Sequence, residues 1–145
     1  MNPSIHTPLS LALIRQRYTP FGGAERFLER AMAALRTQGV VIVGSGSMTH
    51  NLHEFRQSGT RPQAYAQEFA SWVRAAVLAH ALKPLVNYRL EAPHAARAHP
   101  TEEHFLPLLV ALGALQDGDA VQVLDGGGVT HGVLSMESYV WGMPG

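Results

Sequence analysis

The chain has 145 residues, no cysteine, and equal numbers of basic and acidic residues, so its formal net charge is zero. This length suits one domain with a real core, and the lack of cysteine excludes disulfides and thiolate metal ligands. No basic run favours nucleic acid or an anionic membrane, and no apolar stretch approaches the ~20 residues that span a bilayer. We therefore expect a cytoplasmic protein whose eight histidines are the first candidates for metal binding.

The first predicted elements are a short strand from Leu11 to Ile14 and a helix from Ala24 to Leu35. In the helix, apolar residues recur at the three- and four-residue spacing of one helical face. Gly39 stands where a left-handed residue commonly follows a helix end. The next four residues, Val40 to Val43, are all β-branched and predict a strand buried on both faces, as in a parallel sheet.

A loop of small residues, Gly44 to Asn51, follows this predicted strand. Ligands in α/β sheets bind beyond the carboxyl ends of strands, so His50 could be a metal ligand or a general acid/base. A loop histidine hydrogen-bonded to backbone remains the alternative. The loop lacks the later glycine of a dinucleotide fingerprint and the spacing of a nucleophile elbow, so neither is predicted.

Two further helices are predicted, from Pro62 to His80 and from Thr101 to Leu112. Thr101 is a reasonable N-cap, but Pro107 requires that the regular helix either begins near Leu106 or contains a kink. His104 lies on the apolar face of this segment. A functional imidazole and a core histidine with a hydrogen-bond partner explain that position equally well.

The C-terminal region predicts two strands, Ala120 to Leu124 and Val133 to Met136, joined in a hairpin through Gly126 to Gly128. Together the elements indicate an α/β fold. We expect a partial three-layer sandwich with a mainly parallel central sheet flanked by helices, and the hairpin at its edge.

The remaining histidines and the acidic pair in the first turn of the Thr101–Leu112 helix have weaker patterns. His99 could line the same pocket as His104, whereas His94 reads as structural. Glu102 and Glu103 read first as charges that complement a helix dipole. Exposed or structural roles are expected for the other four histidines, which are His6, His53, His80 and His131.

Two long motifs resemble the 4,5-DOPA type of class III extradiol ring-cleavage dioxygenases. The segment from Val41 to Leu52 resembles that family's G-S-G-x-x-x-H-N-L motif. The segment from His99 to Gly113 resembles its H-P-x-x-E-H-x-L-P-L-x-x-A-L-G motif. The resemblance extends over the C-terminal half of the family, and residues 39–145 are therefore interpreted as a domain of that kind.

This resemblance implies a non-haem Fe(II) or Zn(II) site that binds a catechol-type substrate and O₂, with cleavage beside the two hydroxyls. By motif position, His104 would be a metal ligand, and His50 a ligand or the acid/base. Ser47 and His99 would bind substrate. The family's N-terminal H-G-S-P and S-x-H-W-type segments are missing, so the metal could be absent from the isolated chain. A non-catalytic remnant and a small metal- or ligand-binding module are the alternatives.

The N-terminal segment has a different resemblance. Residues 11–30 resemble the opening of certain glycosyltransferases, which leaves open a different origin for residues 1–38. No complete transferase domain follows, so that activity is not predicted. A half-domain leaves sheet edges and apolar surface uncovered, and we therefore expect a homo-oligomer, or a missing N-terminal half supplied separately.

Overall fold

The computed structural model of the chain describes residues 32–56, 59–124 and 128–142. The predicted strand at 11–14, most of the predicted helix at 24–35, and His6 lie outside these residues. Residues 32–36 are helical. The N–H groups of Gly39 and Val40 donate to the carbonyls of Arg36 and Leu35, and Gly39 has a φ of 79°. This is the left-handed helix end predicted for Gly39.

In the described residues that follow there are six helices and four short strands. The helices are α1 (Leu52–Phe55), α2 (Ala64–Leu78), α3 (Leu82–Val86), α4 (Tyr88–Glu91), α5 (Ala95–Ala98) and α6 (Leu106–Gly113). The strands are β1 (Val121–Val123), β2 (Val129–Thr130), β3 (Leu134–Ser135) and β4 (Tyr139–Trp141). No helix in the described ranges is long and apolar enough to cross a membrane.

Helix α2 is the central element of the core and confirms the helix predicted from Pro62 to His80. Its buried face carries Tyr65, Phe69, Val73 and Val77. The ring of Phe69 meets three other rings, those of Tyr88, His99 and Phe105. Helices α3 to α5 fill the stretch before His99, so the chain folds back over α2 in short helical turns.

Helix α6 begins at Leu106, with Pro107 in its first turn. Of the two expected alternatives, the chain thus adopts a regular helix that begins at Leu106, and not a kinked longer helix. Proline is tolerated there because the first N–H groups of a helix have no intrahelical partner. The expectation that Thr101 caps a longer helix is wrong. Phe105 occupies the N-cap position, and the Thr101 hydroxyl instead donates to Glu103 Oε1 at 2.6 Å.

The C-terminal strands pair differently from the prediction. Strand β1 is antiparallel to β4, with Val121 opposite Trp141, and β3 is antiparallel to β2. The predicted hairpin between 120–124 and 133–136 is therefore wrong. Strand β4 pairs with β1 in place of the predicted partner, because its side chains Tyr139 and Trp141 also pack against the core. A smaller hairpin, β2–β3, does form near the C-terminus.

The predicted buried strand at Val40–Val43 is not formed in the described part of the chain. These residues belong to no ladder, and the side chains of Val41 and Val43 are 81% and 80% exposed. Burial on both faces requires neighbouring strands and covering helices, and no described strand lies alongside. Both described sheets are two-stranded and antiparallel, so the fold is α/β without the expected parallel sheet among these residues.

Candidate metal and acid–base site

The loop after Val43 lies directly against the start of α6. The N–H of Ser47 donates to the carbonyl of His104 at 2.9 Å. A Cβ atom added to Gly46 would lie 2.3 Å from that same carbonyl oxygen, and one added to Gly44 would lie 2.3 Å from the Pro107 carbonyl oxygen. The glycines are thus required for close approach of backbone to backbone. The backbone that the two glycines approach is the start of α6, whereas the sequence pattern suggested that they would approach a ligand.

The second half of this loop is tied to the core by hydrogen bonds. The Thr49 hydroxyl donates to the Val133 carbonyl at 2.7 Å and accepts from the Ser135 N–H at 2.7 Å. The His50 N–H donates to the Ala98 carbonyl at 2.8 Å. Because Thr49 is fully buried, these bonds hold the backbone of His50 in one place.

The 44–50 loop and the turn before α6 bring His50 and His104 together. Their imidazole rings are stacked, with centroids 3.5 Å apart and planes inclined by 28°. Burial lowers the pKa of His50, and the adjacent His104 lowers it further. His50 is therefore held neutral near pH 7, the form that can accept a proton or bind a metal.

Glu103 adds a negative charge beside this pair. Its Oε1 lies 4.0 Å from His104 Nε2, and its pKa is lowered chiefly by the hydrogen bond from Thr101. Nevertheless, no group of three or more histidine, cysteine or acidic side chains in the described ranges could hold a metal ion. The two imidazoles can supply two nitrogen donors, which do not make a complete ligand set for Fe(II) or Zn(II).

His99 occupies a different position from the substrate contact that was expected. Its side chain is fully buried among the rings of Phe69, Tyr88 and Phe105. Its Nε2 lies 2.8 Å from the Met48 carbonyl oxygen. Burial lowers the pKa of His99 to about 4. The ring therefore stays neutral and supports the loop that carries His50.

Ser47 lies in that loop. It lines, together with His104, a groove of about 540 Å³ that is bounded by residues 40–44, by α6 and by β4. Its hydroxyl donates to the Thr49 carbonyl at 2.7 Å. The predicted substrate contact of Ser47 stays a prediction. The remaining described histidines are exposed. Among them, His94 lies 2.9 Å from a Glu68 carboxylate oxygen, and the ring of His131 contacts Phe55.

Two residues that support this region were not recognised in the sequence. Arg89 donates a hydrogen bond to the backbone carbonyl of His99. Glu137 is buried on the groove wall and is bound by the Arg74 guanidinium and the Tyr139 hydroxyl. The available signal was an isolated acidic residue in an otherwise uncharged stretch from Val129 to Gly142.

The sequence of the chain matches a known protein family. Residues 9–139 match the sequence model of the family described as the catalytic LigB subunit of aromatic ring-opening dioxygenase. The chain belongs to this family. The matched range extends across residue 38, where the sequence suggested a boundary. A separate origin for residues 1–38 stays a prediction.

Named relatives of this LigB-family chain are 4,5-DOPA dioxygenases of the extradiol type. The protein from Beta vulgaris is 34% identical over 115 residues, which cover 77% of this chain and 43% of the relative. The protein from Escherichia coli K12 is 38% identical over 113 residues, which cover 75% and 41%. The chain thus spans less than half the length of the relatives it matches.

A solved structure supports the same fold assignment. The crystal structure of an uncharacterized Escherichia coli K12 protein is 32% identical, with a TM-score of 0.66. The similarity covers 80% of this LigB-family chain and 48% of that chain. The matched part of the chain therefore shares its overall fold with that protein.

Proposed function

We propose that this protein acts in extradiol ring cleavage of a catechol-type substrate by O₂, with His50 and His104 at the centre of its site. The observation that carries the proposal is the contact between the two imidazoles, 3.5 Å between centroids. They come from segments 54 residues apart and are brought together by loop packing on α6. Family membership and the 4,5-DOPA dioxygenase relatives support the same reaction class.

In this proposal His104 and His50 would donate nitrogen ligands to Fe(II) or Zn(II), and the remaining ligands would come from outside the described residues. A bound divalent metal with open positions can hold both oxygens of a catechol. As the alternative to ligating the metal, His50, kept neutral by burial and by His104, would accept a hydroxyl proton from the substrate near pH 7. Ser47, on the groove wall beside His104, would contact the substrate.

A second candidate function is a non-catalytic remnant or a small metal- or ligand-binding module of the same family. The observation that favours it is the donor count, because the described residues bring two imidazoles together and no third ligand. Both candidates use the same histidine pair and differ in turnover.

The proposal includes two further expectations from the sequence. A mainly parallel sheet would be completed beside Val40–Val43 by strands that the described residues do not contain. Self-association would cover the exposed apolar side chains of that region. Neither nucleic acid nor a membrane is an expected partner, and a cytoplasmic location stays a prediction.

The deciding experiment is metal stoichiometry after anaerobic loading with Fe(II) or Zn(II), followed by oxygen uptake with a panel of catechols. His104→Asn is compared with wild type, and His80→Asn is the matched control because His80 is exposed and lies outside the groove. Asparagine also tolerates the positive φ of 51° at position 80.

We expect close to one metal per chain in wild type and in His80→Asn, and its loss in His104→Asn. Oxygen uptake that follows the metal content would support the dioxygenase. Retained metal without oxygen uptake would favour the binding module. If no metal is retained by wild type, both metal-dependent functions fail for this chain.

A further inference from the structure

The segment that carries His50 is joined to the chain before His99 by two adjacent hydrogen bonds. The N–H of His50 donates to the carbonyl of Ala98 at 2.8 Å. The side-chain Nδ2 of the next residue, Asn51, donates to the preceding carbonyl, that of Arg97, also at 2.8 Å. A single bond would leave the backbone free to pivot about it, whereas two bonds at consecutive residues fix its direction. Asn51 therefore helps to determine where the His50 side chain points.

The amide of Asn51 is held in this orientation from its other side. Its Oδ1 accepts the N–H of Glu54 at 3.1 Å, which makes Asn51 the N-cap of α1. Its Nδ2 also lies 3.2 Å from Glu54 Oε1. The oxygen thus faces a donor and the nitrogen faces two acceptors, so a flipped amide would place like groups against each other. Asn51 is buried, and these bonds satisfy both of its polar atoms.

An ion pair links this amide to helix α2. The Arg97 guanidinium binds Glu54 through two bonds, from Nε to Oε1 at 2.8 Å and from Nη2 to Oε2 at 3.0 Å, a bidentate arrangement that adds geometric specificity. Its Cζ atom lies 4.0 Å from the centre of the Tyr65 ring, within the range of a cation–π contact. Tyr65 belongs to the buried face of α2. The core is thereby connected to Asn51 through Arg97 and Glu54.

The other member of the histidine pair is fixed separately. The carbonyl of His104 accepts the Ser47 N–H at 2.9 Å, and His104 directly precedes the buried Phe105. The two stacked rings have centroids only 3.5 Å apart, which is van der Waals contact. A small rotation of the His50 backbone would therefore separate them.

We propose that Asn51 is a positioning residue, which holds the imidazole of His50 against that of His104. The ion pair between Glu54 and Arg97 keeps the Asn51 amide in place. These three residues lie outside the groove that His104 lines, so Asn51 acts through His50 and not on a substrate. The inference rests on the proposed function, because the orientation of His50 matters for the reaction only if His50 acts in it.

The test uses two substitutions that retain the helix cap and remove the donor. Serine and aspartate are N-caps of about the same quality as asparagine. Aspartate, however, has no donor when ionised, and the serine hydroxyl ends one bond short of the Nδ2 position. Asn51→Ser adds no charge, and Asn51→Asp retains the size of the side chain. If Asn51 is only a cap for α1, both variants should leave the histidine pair unchanged, whereas loss of positioning should separate the rings in both.

The measurement is the nuclear Overhauser cross-peak between the ring protons of His50 and His104, in the metal-free protein at one pH. His104→Asn removes one ring and thereby assigns the cross-peak. Wild type should show it, since the rings are stacked. We expect it to be largely lost in both Asn51 variants, while circular dichroism shows that they remain folded. Asn87→Ser is the matched control and should retain it, because Asn87 is exposed and makes no side-chain capping bond to α4.

Glu54→Gln tests the ion pair without changing Asn51, and it keeps the inference testable if the Asn51 variants do not fold. Glutamine retains an oxygen acceptor for Asn51 Nδ2 but removes the charge that binds Arg97. We expect a weaker cross-peak than in wild type, with a smaller loss than in the Asn51 variants because the ion pair is partly exposed. Glu68→Gln is the matched control, since it removes a carboxylate that contacts His94 instead, and it should leave the cross-peak unchanged.

A full cross-peak in folded Asn51→Ser would overturn the inference, because Asn51 would then be a helix cap alone. Loss in Asn51→Asp only would also overturn it, since the added charge would be the cause. An unchanged cross-peak in Glu54→Gln would overturn the role of the ion pair, and its absence from wild type would overturn the whole inference. The measurement needs neither metal nor turnover, whereas metal stoichiometry tests the proposed function, so failure of one is distinguishable from failure of the other.

Discussion

At the scale of single residues, the environment of each histidine determines what its imidazole can do. His50 and His104 are partly exposed and touch each other, which disfavours a second positive charge. His99 is fully buried, and its Nε2 lies within hydrogen-bond distance of a backbone carbonyl. The imidazole is therefore partly exposed at two of these positions and is a buried hydrogen-bond donor at the third.

His99 should make the stability of the protein depend on pH. Its pKa is lowered from 6.5 to about 4 in the folded chain, so the unfolded chain binds the proton more readily. The contribution of His99 to the free energy of unfolding is therefore fully present above pH 6.5. It falls by up to about 3 kcal/mol as the pH is lowered towards 4. Urea unfolding at a series of pH values measures this fall in the free energy of unfolding.

The matched variants for this experiment are His99→Gln and His80→Gln. Glutamine at position 99 retains an N–H donor for the Met48 carbonyl but does not titrate, so most of the fall between pH 6.5 and 4 should disappear. His80→Gln, at an exposed position, should retain it. An unchanged pH profile in His99→Gln would show that other groups cause the acid sensitivity.

At the scale of elements, the site depends on how closely the 44–50 loop approaches the first turn of α6. Ser47 donates to the His104 carbonyl, and the two glycines remove the side chains that would separate the two backbones. Helix α2 is joined to the C-terminal segment by the ion pair between Arg74 and Glu137. Each of these contacts links segments that are far apart in the sequence.

Gly46→Ala tests the importance of this approach. The new Cβ would lie 2.3 Å from the His104 carbonyl oxygen, and backbone cannot move aside without displacing the loop. We expect a loss of about 1–3 kcal/mol in the free energy of unfolding, together with changed chemical shifts of the His50 and His104 imidazoles.

The matched control for this substitution is Gly59→Ala, because no described residue has an atom within 4 Å of the added Cβ there. The same methyl group should leave stability nearly unchanged or slightly raised. Equal stability of Gly46→Ala and Gly59→Ala would mean that the loop tolerates displacement and does not fix the histidine pair.

At the scale of the whole molecule, one aromatic cluster connects the helices to the site. Phe69 of α2, Tyr88 of α4 and Phe105 before α6 contact one another and the ring of His99. All four side chains are at least 98% buried. Because His104 directly precedes Phe105 of this cluster, the cluster also determines where the site lies relative to α2.

Phe69→Ala should weaken the whole fold. Loss of a fully buried phenylalanine costs about 3–5 kcal/mol, a large part of the ~5–15 kcal/mol that stabilises a typical domain. We expect a fall of about 10 °C in Tm by circular dichroism. Leu78→Ala on the same helix is the control, since Leu78 is 48% exposed, and an equal fall in both variants would contradict a core centred on Phe69.

Local sequence patterns were sufficient to predict several helices and to name the candidate residues of the site. The apolar spacing of α2, the glycine at the end of the first helix and the position of Pro107 are local signals, because helix geometry depends on residues three and four apart. The two motifs also identified His50 and His104 correctly as neighbours. These features do not require knowledge of the rest of the fold.

Tertiary structure alone decided the strand partners, the burial of His99 and the exposure of Val41 and Val43. Strand pairing depends on which distant segment buries more surface, and the C-terminal segment with Tyr139 and Trp141 packs against the core beside β1. A β-branched run indicates that a strand is suitable but not that a neighbour covers it. His99 and His104 share a motif, yet one ring lies in the core and the other at the surface, because burial belongs to packing and not to sequence spacing.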